Sequence, residues 1–242
     1  MLLATIFLSC GFGCQSGDGT SALPDAGSLA DAEPSFDPYQ VTIDTGTMRG
    51  VEESGAAAFK GIPYVAPPVA DLRWRPPQPA SPWSEVFDAN AYAPMCPQPE
   101  SEIGSEGGDE DCLYLNVWTP SDRLVDDRLP VMVFLHGGGN FLGSATQSSD
   151  NVVGTTGGPP LYEGQRLSAR GDVVVVNLNY RLGALGFLTH PDLAEESGSS
   201  GNYGLMDQIA ALEWVQRNIE QLGGDPDRVM LFGQSGGGRD VC

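Results

Sequence analysis

Apolar and polar positions change their rhythm several times along the chain, and each change marks an expected element. Residues 41–51 (Val41-Thr-Ile43-Asp-Thr-Gly46-Thr-Met48-Arg-Gly-Val51) alternate with period two around a polar turn containing Gly46, which predicts an antiparallel hairpin. Residues 61–82 hold Pro63, Pro67, Pro68, Pro76, Pro77, Pro79 and Pro82 along with Trp74, so neither a helix nor a central strand can run through them and a packed irregular loop is expected. Three apolar runs of strand length follow, at 112–118, 129–135 and 172–178. The last two are apolar on both faces, the pattern of parallel strands covered on both sides in an α/β protein. A helix ending near Arg170 is expected between them. Leu205, Ile209, Leu212, Val215, Ile219 and Leu222, three or four residues apart, predict one apolar stripe on an amphipathic helix. Gly223-Gly224 should cap that helix in the left-handed region and Asp225-Pro226 should stop it, before Arg228–Phe232 resumes as a buried strand.

Composition narrows the function classes. A chain of 242 residues, 40% hydrophobic and 18% charged, can bury one sizeable domain. Its 12 Lys+Arg against 32 Asp+Glu give a formal net charge of −20, which repels phosphate backbones and argues against a nucleic-acid partner.

The first 14 residues form an apolar run too short to span a bilayer and lacking a basic start, which reads as a signal peptide with its first residues missing. Leu8-Ser9-Cys10 after apolar residues resembles a bacterial lipobox, with Cys10 as the lipidation site, although Phe7 departs from the usual pattern and Cys14 fits it less well. The alternative is an ordinary buried N-terminal strand. Residues 15–40, mostly Gly, Ser, Ala, Asp and Pro, cannot repay the entropy of ordering and read as a tether, leaving 41–242 as the folded domain. Together they predict export, as a secreted, periplasmic or lipid-anchored envelope protein. Of the five cysteines, Cys10 and Cys14 lie in the leader and Cys242 is terminal, which leaves Cys96 and Cys112 as one pair; they form a disulfide in an oxidising compartment or two free buried thiols in a reducing one.

The chemistry gathers at two glycine-rich turns. Gly233-Gln-Ser235-Gly-Gly237 fits G-x-S-x-G directly after a buried apolar strand, where the nucleophile elbow of an α/β-hydrolase belongs. The bland alternative is a glycine loop whose serine caps a helix. His136-Gly137-Gly138-Gly139 follows the strand at 129–135 and offers the backbone N–H groups that an oxyanion needs. A phosphate cradle is the competing reading, but no Lys-Ser/Thr follows and no G-x-G-x-x-G is present.

These motifs, with Phe59–Pro68, Leu72–Pro77, Glu110–Val117, Asn179–Phe187 and Gly201–Gln208, resemble the type-B carboxylesterase family, which includes cholinesterases and para-nitrobenzyl esterases, over residues 41–242. The resemblance implies an α/β-hydrolase with a mostly parallel central sheet, cut short after the elbow. It implies Ser235 as nucleophile, Gly138, Gly139 and Gly236 as oxyanion donors, a Cys96–Cys112 disulfide, a structural role for Asn179-Tyr180-Arg181, a small-molecule ester substrate, and no metal or cofactor. Gln234 stands where a Glu is common, Gly236 where Ala is usual, and Asn140 where an aromatic or small residue is common. In this fold the triad acid and histidine follow the serine, whereas His136 and His190 precede Ser235 and Asp240 is too close to it. The expectation is therefore a chain without triad-level turnover. A non-catalytic binding module and a broken gene product are the rival readings, and the retained serine, elbow and glycines argue against the first.

Overall fold

The computed structural model describes residues 36–99, 107–124, 126–146, 161–198 and 200–242. Cys10, Cys14, the leader and most of the tether lie outside them. The folded unit begins at Phe36, where the Arg123 guanidinium donates to the Pro38 carbonyl (2.9 Å) and covers the Phe36 ring.

The expected hairpin is present. Strands β1 (Gln40–Ile43) and β2 (Gly46–Arg49) pair antiparallel, and Val41 and Ile43 point inward while Gln40 and Thr42 face solvent. Strand β5 (Phe87–Asp88) adds to β2 in parallel. The main sheet has six strands in the order β3 (Val51–Glu53), β4 (Ala56–Pro63), β6 (Tyr114–Pro120), β8 (Val174–Leu178), β7 (Leu129–Leu135), β9 (Gly224–Gly233). The sheet is mixed. β8, β7 and β9 are parallel, as the doubly apolar runs require, while β3, β4 and β6 pair antiparallel with one another and with β8.

β4 carries a register shift between Phe59 and Ile62. Gly61 causes it: its φ is +65°, a Cβ there would lie 2.6 Å from the Ala91 carbonyl oxygen, and its N–H leaves the ladder for the Asn116 side chain (2.9 Å). Asn116 in turn donates to Asn177 (2.8 Å), so two buried amides are satisfied inside the sheet. Beyond Pro63 the proline-rich segment is irregular apart from a 3₁₀ turn at Ala70–Leu72. The Trp74 indole holds it by donating to the Ala184 carbonyl (3.0 Å).

Five α-helices complete the described structure: α1 (Gln165–Gly171), α2 (Gly183–Phe187), α3 (Pro191–Ser197), α4 (Tyr203–Asn218) and α5 (Gly236–Asp240). α1 ends at a left-handed Asp172, which explains why β8 starts two residues later than its apolar run. α4 departs from the expected stripe. Val215, Ile219 and Leu222 are buried, but Ile209 is 56% exposed and Leu205 and Leu212 are half-buried. The inward face carries Tyr203, Asp207, Gln208, Ala211, Trp214 and Asn218 instead.

Polar partners turn the helix. Asp207, wholly buried, accepts from the Arg181 backbone N–H (3.0 Å), Nε (2.8 Å) and Nη2 (2.7 Å), and Arg181 Nη1 reaches the Arg75 carbonyl (2.9 Å). Asn218 accepts from the Asp44 N–H (2.9 Å). An apolar periodicity count gives such residues no weight, yet one buried charge without a partner costs more than exposing one isoleucine. The end of the helix follows expectation, since Gly223 is left-handed (φ +82°) after a 3₁₀ turn at Ile219–Leu222. The strand after it was expected to be buried. β9 instead pairs only with β7 among the described residues, and Met230 is 49% exposed.

Cys96 and Cys112 are joined in a disulfide with a Cα–Cα separation of 5.0 Å. Closing a loop with a sequence separation of 16 removes roughly 3 kcal/mol of unfolded-chain freedom.

Candidate active site

Adjacent parallel strands bring the two glycine motifs together. Leu135, the last residue of β7, is in register with Gly233, the last of β9, so His136–Gly139 and Gly233–Gly237 leave the sheet side by side. Gln234 donates its N–H to the Leu135 carbonyl (3.2 Å). The chain then turns from strand to helix at Ser235, whose φ of 51° and ψ of −112° are costly for any residue with a Cβ. The flanking glycines are steric necessities: a Cβ on Gly233 would sit 2.4 Å from the Gly237 carbonyl carbon, and one on Gly237 would sit 2.3 Å from the Leu135 oxygen. The Ser235 side chain is left exposed at the apex, and its carbonyl accepts the Arg239 N–H (3.0 Å).

The facing loop has three successive residues at positive φ: Gly138 (+103°), Gly139 (+63°) and Asn140 (+66°). A Cβ on Gly138 would lie 2.1 Å from the Leu142 carbonyl oxygen. The Gly138 carbonyl accepts from Phe141 N (3.1 Å) and Leu142 N (3.2 Å), which closes the turn. The loop approaches α5 so closely that a Cβ built on Gly236 falls 2.7 Å from Gly139 N and 3.4 Å from Asn140 N. Among the described residues nothing accepts a hydrogen bond from the N–H groups of Gly138, Gly139 or Gly236. The Gly139 N–H and the Gly236 backbone thus come together next to an exposed serine, an arrangement able to hold developing negative charge on an oxygen bonded to that serine.

The surroundings hold the loop in place. His136 is buried and stacks on Tyr180 (4.3 Å between centroids), and the Tyr180 hydroxyl donates to the His136 carbonyl (2.8 Å). Burial keeps the Tyr180 phenol protonated and pushes the His136 imidazole down to about 4. His136 Nδ1 bonds the Gly137 carbonyl (2.9 Å), which requires the proton on Nδ1. This histidine is a neutral structural group. His190 lies exposed at the N-cap of α3 and accepts from Asp192 N (3.3 Å). No side chain among the described residues bonds the Ser235 hydroxyl.

Folding therefore requires His136 uncharged, whereas the unfolded chain protonates it near its ordinary 6.5. The unfolded state binds the extra proton between about pH 6.5 and 4, so stability is full above that window and is lost as pH falls through it. The expected loss is about 2 kcal/mol between pH 7 and pH 5, read from urea denaturation. A His136→Gln variant should show a flatter dependence; an identical slope would overturn the assignment.

Further polar residues complete the scaffold, and of these Gln98 is the one that the sequence reading left aside. Gln98 accepts from Gly143 N (2.8 Å) and donates to the Gly143 carbonyl (3.0 Å), tying the disulfide loop to the end of the glycine loop. Asn179 accepts from Ala145 N (2.8 Å) and donates to the Pro94 carbonyl (3.0 Å). With Tyr180 and Arg181, it gives each member of the Asn179-Tyr180-Arg181 run a different loop to anchor. Gln234 accepts from the Tyr162 hydroxyl (3.3 Å). Asp240 does not face Ser235 through a histidine; its carboxylate accepts from Asn140 Nδ2 (3.1 Å) and Gln208 Nε2 (2.9 Å). Among the described residues no group of three His, Cys, Asp or Glu side chains is placed to hold a metal ion, and no helix is long and apolar enough to cross a membrane.

Known proteins share both sequence and fold. The chain is 44% identical over 207 residues to the para-nitrobenzyl esterase of Bacillus subtilis, covering 84% of this chain and 39% of that protein. It is 46% identical over 204 residues to the fumonisin B1 esterase of Sphingopyxis macrogoltabida, covering 80% of this chain and 34% of that one. A solved para-nitrobenzyl esterase structure superposes with a TM-score of 0.72 at 44% identity, covering 84% of this chain and 39% of that structure. A carboxylesterase of Geobacillus stearothermophilus gives 0.71 at 36% identity, with 84% and 40% covered. The chain thus spans about two fifths or less of the length of these relatives. The mixed sheet, the elbow and the glycine loop are those of an α/β-hydrolase, and with the Carboxylesterase family's sequence model matching residues 37–242, the chain belongs to that family.

Proposed function

We propose that these residues supply the nucleophile and the oxyanion donors of a serine carboxylic ester hydrolase. Ser235 Oγ attacks the ester carbonyl carbon, and the carbonyl oxygen becomes an oxyanion held by the N–H groups of Gly138, Gly139 and Gly236. Collapse of the tetrahedral intermediate expels the alcohol and leaves an acyl-serine, which water then hydrolyses to the acid and free Ser235. The base that takes the Ser235 proton is neither His136, neutral and buried behind the loop, nor His190, exposed at the start of α3. Neither of the chain's two histidines therefore supplies the general base.

The observation that carries this reading is the close approach of the Gly139 and Gly236 backbones beside a strained, exposed Ser235. Two experiments test it. A fluorophosphonate added to the protein as its source makes it should label the peptide containing Ser235, and labelling elsewhere would sink the assignment. The 242-residue chain alone should hydrolyse a short-chain nitrophenyl ester no faster than its Ser235→Ala variant. A clear difference would mean that the chain contains its own base.

Export is part of the same proposal, supported by the leader-like first residues and by the Cys96–Cys112 disulfide, which persists in an oxidising compartment. Membrane attachment would then run through a lipid on Cys10.

A further inference from the structure

We propose that Asp240 is a positioning residue for the oxyanion loop, latching Asn140, and through it Gly139, to the nucleophile helix and to α4. This rests on the reading of Ser235 and the loop glycines given above. Each carboxylate oxygen of Asp240 accepts one bond, Oδ1 from Asn140 Nδ2 (3.1 Å) and Oδ2 from Gln208 Nε2 (2.9 Å). One side chain therefore joins three segments: the loop after β7, the helix that starts at the nucleophile, and the buried face of α4.

The loop needs such a tie. Gly138, Gly139 and Asn140 run at positive φ in succession, so they make no helix or strand ladder of their own, and Asn140 is the one residue of the three that strains to be there. Two bonds hold it in that conformation: its carbonyl accepts from Gly183 N (2.7 Å) and its side chain donates to Asp240. The other side-chain atom, Oδ1, is buried without a partner, so among the described residues Asp240 is the sole polar partner of the Asn140 amide. The peptide bond between Gly139 and Asn140 turns with Asn140. Through the Gly139 Cα, that peptide bond limits how far the preceding Gly139 N–H can move from Gly236.

Gly236 acts in the same direction. A methyl there would meet Gly139 N at 2.7 Å and Gly139 Cα at 2.9 Å and wedge the loop outward. The missing methyl permits the close approach, and the Asp240 carboxylate, a charged acceptor for two neutral amides, holds it. Misplacing an oxyanion donor by a fraction of an ångström weakens the bond formed in the transition state more than substrate binding in the ground state.

The test is a mutant cycle with two readouts. The first is amide hydrogen exchange of the peptide spanning residues 136–143, measured on the 242-residue chain. The second is the kcat and KM for a short-chain nitrophenyl ester, measured on the protein as its source makes it. Asp240→Ala should raise exchange in that peptide about tenfold and lower kcat about 10- to 100-fold, with KM changed less than threefold. Asn140→Asp places two carboxylates against each other and should do the same. Adding Asp240→Asn to Asn140→Asp rebuilds both bonds, with donor and acceptor exchanged on one of them, and should restore exchange and kcat to within threefold of the parent.

A double variant no better than Asn140→Asp, or an Asp240→Ala variant with unchanged kcat, would overturn the latch. Loss of folding in Asp240→Ala leaves the rescue pair to decide. If the parent shows no Ser235-dependent turnover, the catalytic reading fails, and the exchange measurement alone judges the latch: unchanged protection rejects it, and lost protection restored by the pair supports it.

Discussion

Ser235→Ala is expected to lower the kcat/KM of the natural protein for a short-chain ester by at least about 10⁴-fold, or about 5 kcal/mol of transition-state stabilisation. The size follows from what the residue does in the proposed mechanism. Without Oγ no acyl-serine can form, and hydrolysis must proceed by direct attack of water, helped only by the oxyanion donors and by substrate binding. The substitution itself is mild. Ser235 is exposed and its side chain makes no hydrogen bond among the described residues, and alanine bears the same cost as serine at φ 51°. Stability should therefore be nearly unchanged, so a fall in rate cannot be assigned to unfolding. A loss smaller than tenfold, in a variant as stable as the parent, would remove Ser235 from the mechanism.

The largest expected stability effect lies away from the nucleophile. Asp207→Ala leaves the Arg181 guanidinium buried with, among the described residues, the Arg75 carbonyl as its one hydrogen-bond acceptor and the Tyr203 ring 5.4 Å away, and should destabilise the chain by about 3–5 kcal/mol in urea denaturation. The cost is that of a stranded charge, not the net worth of the pair. Arg181→Met combined with Asp207→Leu removes both charges and fills similar volume, so the double variant should recover most of the loss. A single variant within 1 kcal/mol of the parent, or a double variant worse than the single, would show that the pair does not organise this region. The structural consequence is specific: Asp207 turns the inner face of α4, and the same face presents Gln208 to Asp240.

Much of the fold was legible because it depends on local patterns. Period-two alternation marked β1 and β2, and doubly apolar runs marked β7 and β8 as parallel strands. Gly223 stopped the long helix where its left-handed conformation is needed. The two glycine motifs could be read for the same reason, since a turn this tight demands residues without side chains wherever the backbone passes.

The missed features arise from residues far apart in the chain. The apolar stripe predicted for α4 assigned Ile209 to the core, because hydrophobic spacing cannot register that Asp207 will meet Arg181 across 26 residues. Met230 on the edge strand β9 is half-exposed, and nothing in the apolar spacing of Arg228–Phe232 encodes what covers that face of the sheet. Gln98, in a proline-rich surface-like segment, gave no sign that it would bond Gly143 on both sides of its peptide unit. Asp240 could be excluded as a triad acid by its distance along the chain from Ser235, but not placed between Asn140 and Gln208.

By itself, then, the sequence determined which segments are strands, where the chain must turn, and which serine and glycines the turns expose, because sterics and hydrophobic period act over a few residues. Only the tertiary structure decided which face of α4 is buried, that His136 is buried and neutral, and that Asp240 bonds both Asn140 and Gln208. Those outcomes depend on polar groups that must find partners once water is excluded, and the partners come from segments up to 174 residues away.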